Sequence, residues 1–567
     1  MNIPRAEHPN PQFERNNWLC LNGSWEFCKD PGNSGKARKL FSRDAEYPLK
    51  ITVPFCPQSR LSGVGDTDFM SSVWYRRTVS VTEEQLSGVV RLHIGACDYL
   101  TTVYVNEKAV GSHRGGYVSF WFDLTDFLSP GENTLVIHAE DNERDPLIPR
   151  GKQSEEYFSH GCEYTRTTGI WQTVWLEFFA KTHIESVRFF PERSGALAVQ
   201  AALCGAGTLT AKAFYEGRAV GEASLSSAGG NETLTLSLSE VHLWEPGCGR
   251  LYDLELTYGT DFVKSYFGLR SIGLDGYKFR INGKSVFQRL ILDQGFNPEG
   301  IYTSPTDAFL RGDIERSMAM GFNGARLHEK IFEPRFLYHA DKLGYLVWGE
   351  YPNWGLDHSR PESVFPILQE WLEEVARDFN HPSIIGWCPF NETWDRDHRK
   401  QCDDVLRTVY RATKAADPTR PCIDTSGGYH VETDIYDIHD YDQNPETFKA
   451  HYDEILRTAV LHDPLGDRQQ YRIGQPAFMS EYGGIRWSEG DGWGYGNAPT
   501  TEEEFLARYK GLTEAILGNE RFLGFCYTQL TDVEQEQNGL YTYDRKPKFD
   551  PAVISAITAQ KAAIEEE

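Results

Sequence analysis

Apolar and polar residues alternate in short runs from about residue 17 to 180. "VVRLHIGA", "YLTTVYVNEKAVG", "YVSFWFDL" and "NTLVIHAED" are separated by Gly, Asn, Asp and Pro turns. A period of two, with no helical window of comparable strength, predicts strands, and this many short strands predicts an all-β jelly roll. Residues 183 to about 272 repeat the pattern in "TLTAKAFYEG" and "LYDLELTY", with a Gly/Ser-rich turn at "SSAGGNET". They predict an immunoglobulin-like β-sandwich, although no Cys–Trp–Cys signature is present.

After "YFGLRSIGLDG" the period changes. Eight apolar runs ("VFQRLIL", "NGARLH", "YLVWGE", "IIGWCPF", "PCIDT", "IYDIH", "AFMSE" and "LGFCYTQL") alternate with amphipathic stretches. In "ESVFPILQEWLEEVARDF" one helical face collects Ile367, Leu368, Trp371, Leu372, Val375, Ala376 and Phe379. Eight strand–helix units over roughly 290 residues predict a (β/α)8 TIM barrel, with a doubly wound sheet as the alternative. The expected domains are 1–182, 183–273 and 274–567.

The 567 residues carry a formal net charge of −25, which argues against nucleic acid or an anionic membrane as partner. Fourteen Trp, 28 Tyr and 32 Phe supply flat apolar rings that suit sugar faces as well as cores. The opening "MNIPRAEHPNPQFERNNW" has charges and prolines where a signal peptide needs an apolar run. Eleven scattered cysteines without a CxxC pair point to reduced thiols and a cytoplasmic location. Oligomeric state is left open, a homo-oligomer included.

Two glutamates break the apolar pattern. In "IIGWCPFNETWD" a buried-looking run stops at Asn391 and Glu392, and in "PAFMSEYGG" another ends at Glu481. Catalytic groups of a barrel sit at the carboxyl ends of its strands, and the fourth and seventh runs lie across the mouth from each other. Hydrolysis of a glycosidic bond needs such a pair, one carboxylic acid for the leaving oxygen and one carboxylate for the oxocarbenium-like carbon. Glu350, Asp440 and Asp532 come at or just after the ends of the third, sixth and eighth runs and read as substrate hydrogen-bonders or structural ion partners. There is no GxSxG elbow, P-loop or HExxH. His328, His339, His381, His430 and His439 are dispersed, so no metal and no cofactor is expected.

Together these residues resemble glycoside hydrolase family 2, the β-galactosidase, β-glucuronidase and β-mannosidase group. "VPFCPQSR", "VWYRR" and "TTGIWQTVWLE" are similar to its sugar-binding jelly roll, "NHPSIIGWCPFNE" to its acid/base motif, "MSEYGG" to its nucleophile motif, and "FCYTQLTDVEQEQNGLYTYDRKPK" to its last barrel strand and following loop. The resemblance implies Glu392 as general acid/base and Glu481 as nucleophile, with Asn391 on the sugar 2-hydroxyl and Tyr441 orienting the nucleophile. His439 takes a position near the sugar that is often Asn, and Tyr527 one where a Trp usually floors the −1 subsite. Asp293 and Gln294 replace an Asn-Arg-His-Glu-like segment. Arg326 is kept in "ARLHEK". Arg326, Asp293, Glu350, Trp487 and Glu536 complete the expected substrate-binding set.

The resulting expectation is a retaining exo-β-glycosidase acting on carbohydrate, with terminal neutral β-D-galactosides placed first. β-Galactofuranosides, arabinosides and, further down, glucuronides are the alternatives within the class, and a non-catalytic carbohydrate-binding protein is the alternative outside it. Glucuronide-cleaving relatives carry Asn-x-Lys just before a Gly-x-x-Thr-x-Asp-Arg stretch; here Glu536, Gln537 and Asn538 precede "GLYTYDR". A carboxylate near a sugar acid repels it by about 1 kcal/mol at ~4 Å in water and about 4 kcal/mol at an effective dielectric near 20. Arg150, Lys152 or Arg486 could supply a replacement cation.

Overall fold

The computed structural model describes residues 3–393, 395, 400–466, 471–488 and 490–565. The first body is the jelly roll. A four-stranded antiparallel sheet (Trp18–Cys20, Val174–Phe179, Val89–Ile94, Phe120–Asp123) faces a six-stranded one whose central strands, Ser72–Val81 and Gly131–Glu140, pair without a break. Trp25, Phe27, Tyr75, Leu92, Val103 and Ile137 fill the space between them, as alternation of the sequence requires.

The second body is the immunoglobulin-like sandwich, with sheets of three and four antiparallel strands. Its strand Tyr252–Tyr258 buries every second residue against Leu197, Leu209, Ala211 and Leu236. The hairpin joining Gly207–Tyr215 to Arg218–Ser227 turns through Glu216 and Gly217, both at positive φ. That is the turn whose twist matches the flanking strands.

The third body is the barrel. Strands Gln288–Asp293, Gly324–Leu327, Leu346–Glu350, Ile384–Cys388, Tyr436–Asp440, Ala477–Gly483 and Phe522–Thr528 form one parallel seven-stranded sheet. The fifth expected run, "PCIDT", does not join as a ladder strand. Residues 421–426 make only isolated parallel bridges, Trp387↔Cys422 and Asn391↔Ser426. On their other side they reach the Tyr436–Asp440 strand through side chains. Ser426 Oγ donates to Asp437 Oδ2 at 2.7 Å, and His430 spans Asp424 Oδ1 (2.7 Å) and the Asp437 carbonyl (3.1 Å). Polar side chains therefore close this seam of the barrel.

Leu290, Leu292, Trp348, Ile385, Phe478 and Cys526 pack inside the barrel over Phe279 and Ile281 of a small three-stranded sheet. The helix Val364–Asp378 buries Ile367, Trp371 and Val375 as its pattern predicts, but Ala376 is exposed and Glu370 is buried instead. Glu370 Oε1 accepts from the backbone N–H of Tyr117 (2.7 Å), and Oε2 from the Tyr351 hydroxyl (2.9 Å), so this carboxyl ties barrel to jelly roll.

Candidate active site

Glu481 sits on the strand Ala477–Gly483, all seven residues of which are buried. Its Oε1 accepts from Arg326 Nη1 at 3.1 Å, and its Oε2 from the Tyr441 hydroxyl at 2.5 Å. Burial pushes its pKa up, but the positive charges of His439, His328, Arg326 and Lys152 outweigh it and bring the value down to about 2. Burial drives the pKa of His328 itself well below the usual value, so at neutral pH the lasting contribution comes from the other three. This carboxylate is held ionised, the state in which a carboxylate can attack as a nucleophile.

Glu392 follows the strand Ile384–Cys388 at φ +54°, a left-handed conformation uncommon outside glycine and found where surrounding structure enforces it. The enforcing contact is its own N–H, which donates to the Ser426 carbonyl at 2.8 Å. Its Oε1 lies 2.9 Å from Nδ1 of His439, and that nitrogen is 3.4 Å from Oε2 of Glu481. One carboxylate oxygen of each glutamate and a ring nitrogen of His439 all lie within 4.8 Å of one another.

Arg326, fully buried, organises the floor. It gives Nη2 to Glu350 Oε2 (2.7 Å) and to Asn391 Oδ1 (3.1 Å), and Nη1 to Glu481 and to the Ser480 carbonyl. Glu350 is completed by His328 Nδ1 at 2.8 Å. Both residues position the glutamate rather than leaving a group free for sugar. Asn391 is different: its backbone is clasped by the Asn353 side chain at 2.7 and 3.1 Å, while its own buried Nδ2 has no protein partner. The side-chain amide of Gln294 is likewise buried without a protein partner. Asp440 and Asp532 are structural ion and hydrogen-bond partners, bonded to the Tyr452 hydroxyl (2.7 Å) and Lys548 Nζ (2.5 Å).

Three expected sugar contacts point elsewhere. Tyr527 turns outward into the layer between sheet and helices, edge-on to Tyr482 and Tyr509; its neighbour Thr528 reaches the site instead, with Oγ1 3.0 Å from the Tyr441 hydroxyl. Asp293 also faces outward. It accepts from the Gly295 N–H at 2.9 Å, and burial beside Asp313 raises its pKa to about 6. Trp487 packs its ring on Phe505 and Phe549. In each case a parallel strand or its extension, apolar on both faces, gave no alternation from which to read the inward side. Glu536 is buried at the site but spoken for, accepting from the Tyr164 hydroxyl and from Asn538 Nδ2.

The jelly roll supplies Lys152. Gly151 before it adopts φ +57°, and a Cβ there would lie 2.5 Å from the Glu329 carbonyl, so only glycine brings the loop this close. The Lys152 carbonyl accepts from Tyr164 N–H at 2.7 Å. Its buried ammonium lies 4.7 Å from the Trp354 ring centre and in the field of Glu536, Glu481 and Glu392. Among the described residues it makes no direct ion pair. The other two candidate cations are committed: Arg150 to Glu155 and Glu163, and Arg486 to the Gly490 carbonyl. A cavity of about 390 Å³ leads to Glu392 between Arg150 and Glu163 of the jelly roll and Trp354 and His358 of the barrel. The five histidines singled out in the sequence each pair with a different carboxylate, Glu350, Asp307, Asp341, Asp424 and Glu392 in chain order, and only His328 and His439 of the five also approach Glu481, at 4.0 and 3.4 Å.

Residues 19–174 match the family model described as "Glycosyl hydrolases family 2, sugar binding domain", and residues 330–512 the one described as "Glycosyl hydrolases family 2, TIM barrel domain". Between them these stretches take in more than half of the chain, which belongs to glycoside hydrolase family 2. A β-glucuronidase of Paenibacillus borealis is 23% identical over 93% of this chain and 94% of its own length. A β-galactosidase of Thermoanaerobacter pseudethanolicus is 26% identical over 61% of this chain, which spans only 48% of that protein. Among solved structures, the β-glucuronidase of Ruminococcus gnavus superposes with a TM-score of 0.80 at 18% identity, covering 98% of this chain and all of that one. The structural likeness carries the fold. No helix among the described residues is long and apolar enough to cross a membrane.

Proposed function

We propose that the protein is a retaining exo-β-glycosidase in which Glu481 attacks the anomeric carbon and Glu392 acts as general acid and then base. The observation that carries this reading is the proximity of the two carboxylates, with oxygens within 4.8 Å. Retaining enzymes hold their carboxyl groups roughly 5–5.5 Å apart, whereas inverting enzymes keep about 6.5–9.5 Å to admit a water. Ionisation of Glu481 and the free amide of Asn391 support the same assignment. Proton NMR of the first-formed sugar tests it: release of the β-anomer is expected, and release of the α-anomer overturns it.

The proposed substrates are neutral sugars, with β-galactosides first. Arg326 is matched by Glu350 and Glu481, and the ammonium of Lys152 lies in the field of Glu536, Glu481 and Glu392, so carboxylates outnumber cations around the site and disfavour an anionic sugar. A second reading, hydrolysis of β-glucuronides, is favoured by the unpaired ammonium of Lys152 and by the glucuronidases among the relatives. Comparing kcat/KM for nitrophenyl β-galactoside and β-glucuronide separates them, and a glucuronide preference that disappears in Lys152→Met would establish the second.

A further inference from the structure

His439 stands between the two glutamates, and its hydrogen-bond partners restrict where its protons can be. Its Nε2 lies 2.9 Å from Ser426 Oγ. That hydroxyl has one hydrogen to give, and it also lies 2.7 Å from Asp437 Oδ2. Asp437 is kept ionised against its burial by His430. Were the Ser426 hydrogen turned toward His439, an oxygen lone pair would face that carboxylate at 2.7 Å. The hydrogen therefore goes to Asp437, and Nε2 of His439 carries its own hydrogen and donates to Ser426.

The other ring nitrogen then has two arrangements. Either Nδ1 is protonated and the imidazolium donates to Glu392 Oε1, or Nδ1 is bare and accepts from a protonated Glu392. In both, a single proton lies along the 2.9 Å line between Nδ1 and Oε1. Taking Glu392 as the acid/base, we propose that His439 is a positioning residue that holds the acid proton for Glu392.

In the free enzyme the proton rests on Nδ1, between two carboxylates. As the glycosidic C–O bond breaks and the C1–O bond to Glu481 forms, it passes to Glu392 and from there to the leaving oxygen. In the second half, Glu392 takes a proton from the attacking water, the ester bond to Glu481 breaks, and the pair regains its proton. The titratable groups that face His439 are Glu392 and Glu481, with Arg326, Glu350 and the uncharged His328 beyond them and Asp437 on its own strand. The attraction of Glu481 and Glu392 raises the imidazole pKa against the opposing effect of burial.

His439→Asn tests the proposal with two aryl glycosides of one sugar, phenyl and dinitrophenyl. The expected result is a loss on the phenyl glycoside at least about tenfold greater than on the dinitrophenyl one, which needs no proton. The alkaline limb of kcat/KM should also move down by about one pH unit. Equal losses with an unmoved alkaline limb overturn the proposal, since a merely structural role would lower both substrates together. Glu392→Ala is the control: without leaving-group discrimination there, the acid/base reading itself fails, and discrimination there but not in His439→Asn refutes this inference alone. Should the Asn variant not fold, nitrogen-15 NMR of the imidazole in wild type and Glu392→Gln gives the same decision. His439 should titrate at least about one unit lower once Glu392 can no longer share the proton, and an unchanged titration overturns the proposal.

Discussion

The Tyr441 hydroxyl donates a 2.5 Å hydrogen bond to Oε2 of Glu481, while the ring lies flat on Tyr495 with centroids 3.5 Å apart. The stack fixes the ring and thereby the direction of the O–H. Hydrogen bonds to charged acceptors are worth about 1.5–3 kcal/mol. Tyr441→Phe should therefore lower kcat/KM by about 10- to 150-fold and shift the acid limb upward, because ionised Glu481 loses a donor. Steady-state kinetics across pH checks both, and an unchanged acid limb would count against a role for this bond.

Glu392→Ala and Glu481→Ala should differ in kind. The first should slow glycosides with poor leaving groups by about 10²–10⁴-fold, the usual contribution of general acid catalysis, and spare dinitrophenyl glycosides in the first half-reaction. The second should abolish turnover of both, because no glycosyl-enzyme can form. Burst kinetics with the activated substrate reads the difference.

Arg326 and Glu350 form a buried ion pair at 2.7 Å. Removing one partner of such a pair costs about 3–5 kcal/mol, because the other charge stays buried alone. Arg326→Met should thus lower the melting temperature markedly and raise the Glu481 pKa. The double variant Arg326→Met with Glu350→Gln should recover part of the stability but not the activity. Calorimetry beside kinetics makes the comparison.

Glu370 supplies a pH-dependent element of stability. Burial raises its pKa from 4.5 to about 7. A carboxyl whose pKa is higher in the folded state binds its proton more tightly there, so this contribution is full below about pH 4.5 and is lost as pH rises through 7. The amount is on the order of 3 kcal/mol. Glu370→Gln should flatten the wild-type loss of stability across that window, as measured by denaturant midpoints at several pH values; parallel curves for the two proteins would refute it.

The sequence by itself determined the strand-rich first two bodies and the alternating third, since periods of two and of 3.6 follow from local geometry. It also singled out Glu392 and Glu481, because an ionisable group closing an apolar run stands out in any register. Which face each barrel residue presents was decided only by the tertiary structure. A parallel strand covered on both sides is apolar throughout, so Tyr527 and Asp293 read like inward residues and turned out to face the helices. The same holds for the fifth run, where the polar contacts of Ser426 and Asp424 replace a ladder that hydrophobicity alone predicted. Lys152 and His439 reach Glu481 from distant parts of the chain. Their effect on its charge exists only after folding, because electrostatic coupling depends on separation in space and on exclusion of water, neither of which is written in local sequence.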